Sequence, residues 1–233
     1  SYANAIRVGD TVTAAGPLNY SFGTYRINPT DVITVTSGRE ANPVVTEGNL
    51  SIATFNVLNY FNGEVTDSGE VTFDYDANRG AEDETEFALQ EGRIVEAIVG
   101  LNADVVGLME IENDGFGDDS AIQALVTAIN AELAEEEQYT FVSTADSSII
   151  GTDAITVGLL YRASVVVPAG DAQIVDMPIQ QIDEDSVAQM RAALVQTFTH
   201  VESEKGSWEI STYLGEHCLH DNLTSFANRE KLE

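Results

Sequence analysis

The chain has 233 residues, 43% hydrophobic and 21% charged, enough to build one large core with a small appendage and too apolar for a disordered polymer. Its 39 acidic residues outnumber 10 basic ones, a net charge of −29 that repels nucleic acid and anionic membranes unless cations intervene. Apolar runs such as Val105 to Ile111 are too short for a transmembrane helix, and the one cysteine, Cys218, excludes an internal disulfide framework or a multi-thiolate zinc site.

No Lys or Arg lies between Arg93 and Arg162, and only Lys205 and Lys231 are lysines. Such a surface keeps a protein soluble in high salt, where self-repulsion is screened over a few ångströms. A multivalent cation-binding protein would share the charge, but its acids would sit in regular loops. Here they are scattered, which favours a solvated surface from a saline habitat. Ser1-Tyr2-Ala3-Asn4 reads as a start in mid-domain, without a leader peptide.

In chain order, residues 6 to 36 alternate apolar and polar, with turns at Gly9-Asp10, Gly16-Pro17 and Asn28-Pro29. They read as short antiparallel strands, the tail of a small β domain over 1–36. Residues 37–49 have the Pro, Gly and polar content of a linker. Beyond it, 51–58, 104–111 and 155–161 read as strands of one sheet, joined by further strands at Tyr139 to Thr144 and Leu194 to His200. A helix is expected over 84–101, with Asp83 and Glu86 as its capping box and Phe87, Ile94, Ile98 and Leu101 on one face. Ser120 caps a second helix, expected over 120–136, whose stripe is Ile122, Leu125, Val126, Ile129 and Leu133. Between them, 62–83 is a polar, Gly- and Asp-rich loop. The order strand, helix, strand, helix, strands predicts an α/β or α+β sandwich.

Two strand ends carry candidate chemistry. Asn56 and Asn59 fall near the carboxyl end of the first strand, and Glu110 stands in a strand of apolar neighbours. Open sheets bind ligands at the carboxyl ends of strands. A rigid carboxylate with an amide beside it suits a hard divalent cation such as Mg²⁺. The pattern is equally that of a strand-end glutamate facing solvent beside a turn asparagine. His217, Cys218, His220 and Asp221 include zinc-ligand types, yet their spacing matches no zinc motif and they read as an irregular tail.

The same residues carry a resemblance. Thr54-Phe55-Asn56-Val57-Leu58-Asn59-Tyr60-Phe61, Leu108-Met109-Glu110-Ile111-Glu112-Asn113 and Asp153-Ala154-Ile155-Thr156-Val157-Gly158-Leu159-Leu160-Tyr161-Arg162 resemble the secreted bacterial nucleases of the endonuclease/exonuclease/phosphatase superfamily, that of deoxyribonuclease I. Asn78-Arg79-Gly80 and Gln90-Glu91-Gly92-Arg93 also fit that subgroup. Residues 9–27 resemble the end of the OB-like domain that precedes the nuclease there. The resemblance implies a deoxyribonuclease I-like sandwich over 50–200 and metal-dependent hydrolysis of DNA or RNA outside the cell, away from membranes. It implies that Glu110 ligates a catalytic Mg²⁺ (or Mn²⁺ or Ca²⁺), that Asn56 orients the metal and the scissile phosphate, and that Asp153, Tyr161 and Arg162 border the substrate.

The family continues with an Asn-His motif, a Gly-Asp-Phe-Asn motif and a closing Ser-Asp-His motif, none of which occurs here. Residues 201–233 therefore read as a foreign tail on a fold incomplete at its carboxyl end, with impaired activity expected. A phosphatase or sphingomyelinase-like phosphoesterase of the same fold is an alternative. So is a non-catalytic acidic module associated with cations or nucleic acid. That module lacks the basic residues interleaved with aromatics that strand-tracking grooves need.

Overall fold

A computed structural model describes residues 6, 8–38, 48–65, 71–72, 79–144, 149–181, 187–201, 209–214 and 227–229. Most of the 37–49 linker, Asn78 and the tail residues His217, Cys218, His220 and Asp221 lie outside these residues. Contacts divide the chain into two compact units, Ser1–Thr46 and Glu47–Glu233. Among the described residues no helix is long and apolar enough to cross a membrane.

The described residues of the first unit form β-strands and their connections. Strand β1 (Thr11–Thr13) pairs antiparallel with β4 (Thr34–Thr36), and β2 (Leu18–Ser21) forms a hairpin with β3 (Thr24–Ile27). The hairpin turns on Phe22 and Gly23, both in left-handed backbone (φ 52 and 74), the turn geometry that matches the twist of paired strands. Tyr20 and Tyr25 face each other across it, ring centroids 4.7 Å apart.

The described residues of the second unit are mixed α/β, with two α-helices among many strands. Its first sheet has the order β5 (Ile52–Tyr60), β8 (Val105–Glu112), β10 (Ile155–Arg162), β9 (Tyr139–Phe141). Only β5 and β8 run parallel, because helix α1 (Glu84–Leu101) carries the chain back between them. The three expected strands thus lie side by side in one sheet. Two small strands, β6 (Glu64–Val65) and β7 (Val71–Thr72), pair within the preceding loop.

Local chemistry fixes both helices. Asp83 caps α1 by accepting from the Glu86 N–H at 2.9 Å. Glu84 and Glu86 in the first turn complement the helix dipole. Asn102 ends α1 in left-handed backbone (φ 47), its N–H returned to Ile98. Helix α2 (Ala121–Asn130) starts at Ser120 and buries Ala121, Ile122, Leu125, Val126 and Ile129, on the order of 10 kcal/mol of gross apolar burial. It stops at Asn130, short of the 136 expected. The Asn130 side chain closes a pair of hydrogen bonds with the backbone of Tyr139 at 2.8 Å each. The acids that follow, Glu132 and Glu135 to Glu137, oppose the negative end of a helix.

Ile94, Ile98, Leu125 and Ile129 pack with Val57, Val106, Leu108, Ile111 and Leu160 in one core under the helices. The opposite face of the same sheet, through Val105, Val157 and Leu159, meets Val166, Leu194 and Phe198 in a second core. Those three belong to a second sheet, ordered β11 (Val166–Pro168), β15 (Ala193–His200), β16 (Glu209–Leu214), β17 (Ala227–Arg229). Strand β12 (Gln173–Val175) also pairs with β15, while β13 (Ile179–Gln181) and β14 (Val187–Gln189) pair with each other. Burial on both faces explains why β8 and β10 read as near-continuous apolar runs. Helix α2 sits so close that a Cβ at Gly158 would stand 2.9 Å from Ile122 Cδ1.

Candidate functional site

Three of the candidate residues, Asn56, Glu110 and Asp153, lie where β5 and β8 end and β10 begins. Pairing between β5 and β8 is regular from Ile52↔Val105 to Asn56↔Met109, then resumes only at Tyr60↔Ile111. Three residues of β5, Val57 to Asn59, therefore stand against Glu110 alone. On its other side Glu110 is skipped as well, since Val157 pairs Met109 and Thr156 pairs Ile111. Glu110 is a bulge toward both neighbours, in left-handed backbone at φ 62. For a residue with a Cβ that costs about 1–2 kcal/mol. The cost is tolerated because Leu108 and Ile111 on either side are locked in the core, 0% and 1% exposed.

Asn56 sits beside this bulge, one register step from Glu110. It is exposed, and its Oδ1 accepts the Leu58 N–H at 2.8 Å. Leu58 and Asn59 are themselves left-handed, φ 57 and 52. Helix α1 braces the irregular stretch: Gln90 Nε2 donates to the carbonyls of Val57 (3.1 Å) and Leu58 (2.8 Å). The Tyr60 hydroxyl donates to Glu91 at 2.6 Å. Among the described residues no hydrogen bond joins the Asn56 and Glu110 side chains directly.

The strand continues into groups the sequence reading left without roles. Glu112 accepts the Asn62 N–H at 3.2 Å. Burial, followed by the charge of Asp114, pushes its carboxyl up to about 7 against that bond. Asp114 accepts the Ala121 N–H at the start of α2, 2.8 Å away, and burial raises it too. Asn113 staples the following loop to the strand end. Its Nδ2 donates to the carbonyls of Ile150 (2.9 Å) and Asp153 (2.8 Å), and its Oδ1 accepts the Ile150 N–H at 2.9 Å.

That staple places Asp153 at the same edge of the sheet. Arg79 Nη2 reaches its Oδ1 at 2.7 Å and Arg191 Nε its Oδ2 at 3.0 Å. Partial burial works to raise the Asp153 carboxyl, but the Arg191 and Arg79 guanidiniums outweigh it and hold it below the usual carboxylate value. Arg79 is delivered by a tight approach of its loop. A Cβ on Gly80 would lie 2.8 Å from Phe61 Cβ and 3.1 Å from the Asn59 carbonyl oxygen.

Tyr161 and Arg162 lie elsewhere. Strand β10 runs antiparallel to β8, so Ile155 stands opposite Glu112 and Tyr161 opposite Val105, about 20 Å along the strand. Tyr161 packs against Phe198, centroids 5.2 Å apart. Arg162 is 6% exposed. It donates to Asn102 Oδ1 (2.7 Å) and the Glu137 carbonyl (3.0 Å), and its guanidinium lies 4.9 Å from the Tyr139 ring centroid. These bonds tie the opposite edge of the sheet together.

Among the described residues no group of three or more His, Cys, Asp or Glu could hold a metal ion as a cage. A carboxylate at Glu110 with the Asn56 amide nearby fits the lighter demand of Mg²⁺, which takes one or two protein oxygens and fills the rest with water and phosphate. It does not fit a Ca²⁺ cage of six or more protein oxygens. Comparison with protein-family models, curated proteins and solved structures finds no match for the chain.

Proposed function

We propose that this chain is a divalent-metal-dependent phosphodiesterase of nucleic acid, built on a deoxyribonuclease I-like sandwich and exported to a saline medium. The observation that carries the reading is Glu110, a carboxylate in strained left-handed backbone at the carboxyl edge of β8, with Asn56 beside it. Strain of this kind persists where surrounding structure over-determines it, and it concentrates at active sites. When bound, Mg²⁺ would neutralise charge developing on the phosphate and lower the pKa of a water. Both flanking strands skip Glu110, so its side chain departs from a left-handed bulge and not from a paired position in the ladder. The backbone about Asn56 is set by Gln90, which leaves its amide at the same edge. Asn113 anchors the loop that borders them.

The residues that activate water in the resembling family have no counterpart motif in these 233 residues. Each such group contributes powers of ten in rate, so this chain assayed alone should nick DNA slowly. The test pairs Mn²⁺ binding by titration calorimetry with long plasmid-nicking incubations in Mg²⁺, with sphingomyelin and a phosphomonoester as other substrates. Glu110→Ala should abolish both metal binding and the residual nicking. Equal binding and equal nicking in that variant would refute the assignment.

A further inference from the structure

We infer that Gln90 is a positioning residue that acts through the Val57–Leu58 peptide to hold the side chain of Asn56 at the proposed metal edge. The inference takes the role of Asn56 from the phosphodiesterase reading, and it has geometry of its own. Pairing of β5 with β8 lapses between Asn56 and Tyr60, so the backbone between them needs partners from outside the ladder. Helix α1 supplies them from one side chain. Gln90 Nε2 lies 3.1 Å from the Val57 carbonyl oxygen, 2.8 Å from that of Leu58 and 3.5 Å from that of Asn59. It shares its two hydrogens among the three.

The Val57–Leu58 peptide is gripped at both ends. Its carbonyl accepts from Gln90, and its N–H, on the opposite side of the trans peptide, donates to Asn56 Oδ1 at 2.8 Å. That N–H can bond only to the oxygen of the amide, so it settles which way round the Asn56 side chain lies. Turning the peptide over would take the hydrogen away from Asn56 and the carbonyl away from Gln90 together. Leu58 and Asn59 stand in left-handed backbone, φ 57 and 52, which residues with a Cβ disfavour. Packing does not hold Leu58 there, since it is 71% exposed. The hydrogen bonds at the two ends of the peptide are what oppose the flip.

Gln90 can do this because α1 is fixed independently of the site. Ile94, Val95 and Ile98 are buried in the core under the helix, and Phe87 packs on the Tyr60 ring, centroids 5.4 Å apart. The next residue, Glu91, accepts the Tyr60 hydroxyl at 2.6 Å. That bond closes the far end of the same excursion without touching the Val57–Leu58 peptide.

Gln90→Met keeps the length and the helix preference of the side chain and removes its donors. Amide hydrogen exchange, followed by NMR on the full chain without metal, should show the Leu58 N–H exchanging about tenfold faster in this variant. The amides of β8 should be unchanged. Titration calorimetry with Mn²⁺ in high salt, which screens the scattered acids, should show about tenfold weaker binding for Gln90→Met and for Asn56→Ala. Because one acts through the other, the double variant should bind no more weakly than Asn56→Ala alone. Tyr60→Phe gives the comparison for loosening alone: it should lower the unfolding midpoint and leave Mn²⁺ affinity as it was. Unchanged Leu58 exchange in Gln90→Met overturns the inference, as do additive losses in the double variant or an equal loss of affinity in Tyr60→Phe. Mn²⁺ binding that depends on Glu110 and Asn56 but not on Gln90 also overturns it, while upholding the site. If Leu58 exchange quickens while neither Glu110→Ala nor Asn56→Ala alters Mn²⁺ binding, the Gln90 relay stands and the metal reading falls.

Discussion

Glu110 is held at φ 62 by two strands that pair around it, and that conformation has a measurable consequence. Truncation to Ala keeps the Cβ that makes left-handed backbone costly, whereas Gly removes it. Glu110→Gly should therefore be more stable than Glu110→Ala by about 1 kcal/mol in denaturant unfolding, although both lose the carboxylate. Equal stability would mean the site is unstrained. Two residues on, Glu112 raises a question of pH. Its folded pKa is about 7 against an ordinary 4.5, so between these values the folded chain keeps a proton that the unfolded chain has released. Its contribution to stability falls as pH rises through that window. In chelator, Glu112→Gln should stabilise the protein at about pH 8 and bring no gain at about pH 4. A gain that is the same at both pH values would show that packing, and not titration, is responsible.

At the level of elements, the site is an irregular strand end pressed between a helix and a loop. Gly80→Ala tests the loop's share. The new Cβ would stand 2.8 Å from Phe61 Cβ and 3.1 Å from a backbone oxygen, and neither can swing aside like the tip of a flexible side chain. The expected cost is about 1–3 kcal/mol, read as a lower denaturant midpoint. Normal stability would mean that the loop is free to shift. Much of this arrangement was legible beforehand. The apolar runs of β8 and β10, the Asp83 and Ser120 caps and the buried stripe of α2 all express a periodicity that the sequence carries directly. The bulge at Glu110 does not, because a glutamate inside an apolar run reads the same whether it is paired or skipped. Strand direction is hidden as well. Tyr161 and Arg162 end a strand, and only the antiparallel pairing of β10 with β8 reveals that its beginning, just after Asp153, shares an edge with Glu110. Arg79 and Arg191 went unassigned because partners 74 and 38 residues from Asp153 leave no spacing signal.

Over the whole molecule, charge is divided unevenly. In Ser1–Thr46 the residues Arg7, Arg26 and Arg39 balance Asp10, Asp31 and Glu40, so the net −29 falls on Glu47–Glu233. Two effects of salt then compete in that unit. Screening weakens attractive pairs and also relieves repulsion among like charges. Only two salt bridges occur among the described residues, and both share Asp153 at a partly exposed surface, where such pairs are worth about 0–1 kcal/mol each. The repulsion involves 36 carboxylates in this unit, against seven basic residues. Repulsion is the larger effect, so added salt should stabilise the fold. Raising NaCl from roughly 0.05 to 1 M shortens the Debye length from more than 10 Å to about 3 Å. The unfolding midpoint is expected to climb steadily across that range, most steeply at the low end where screening changes fastest. Arg79→Gln should keep the same climb, since it removes an attraction and leaves the repulsion intact. A midpoint that is flat or falling with NaCl would show that the folded chain holds its carboxylates far enough apart for water alone to screen them.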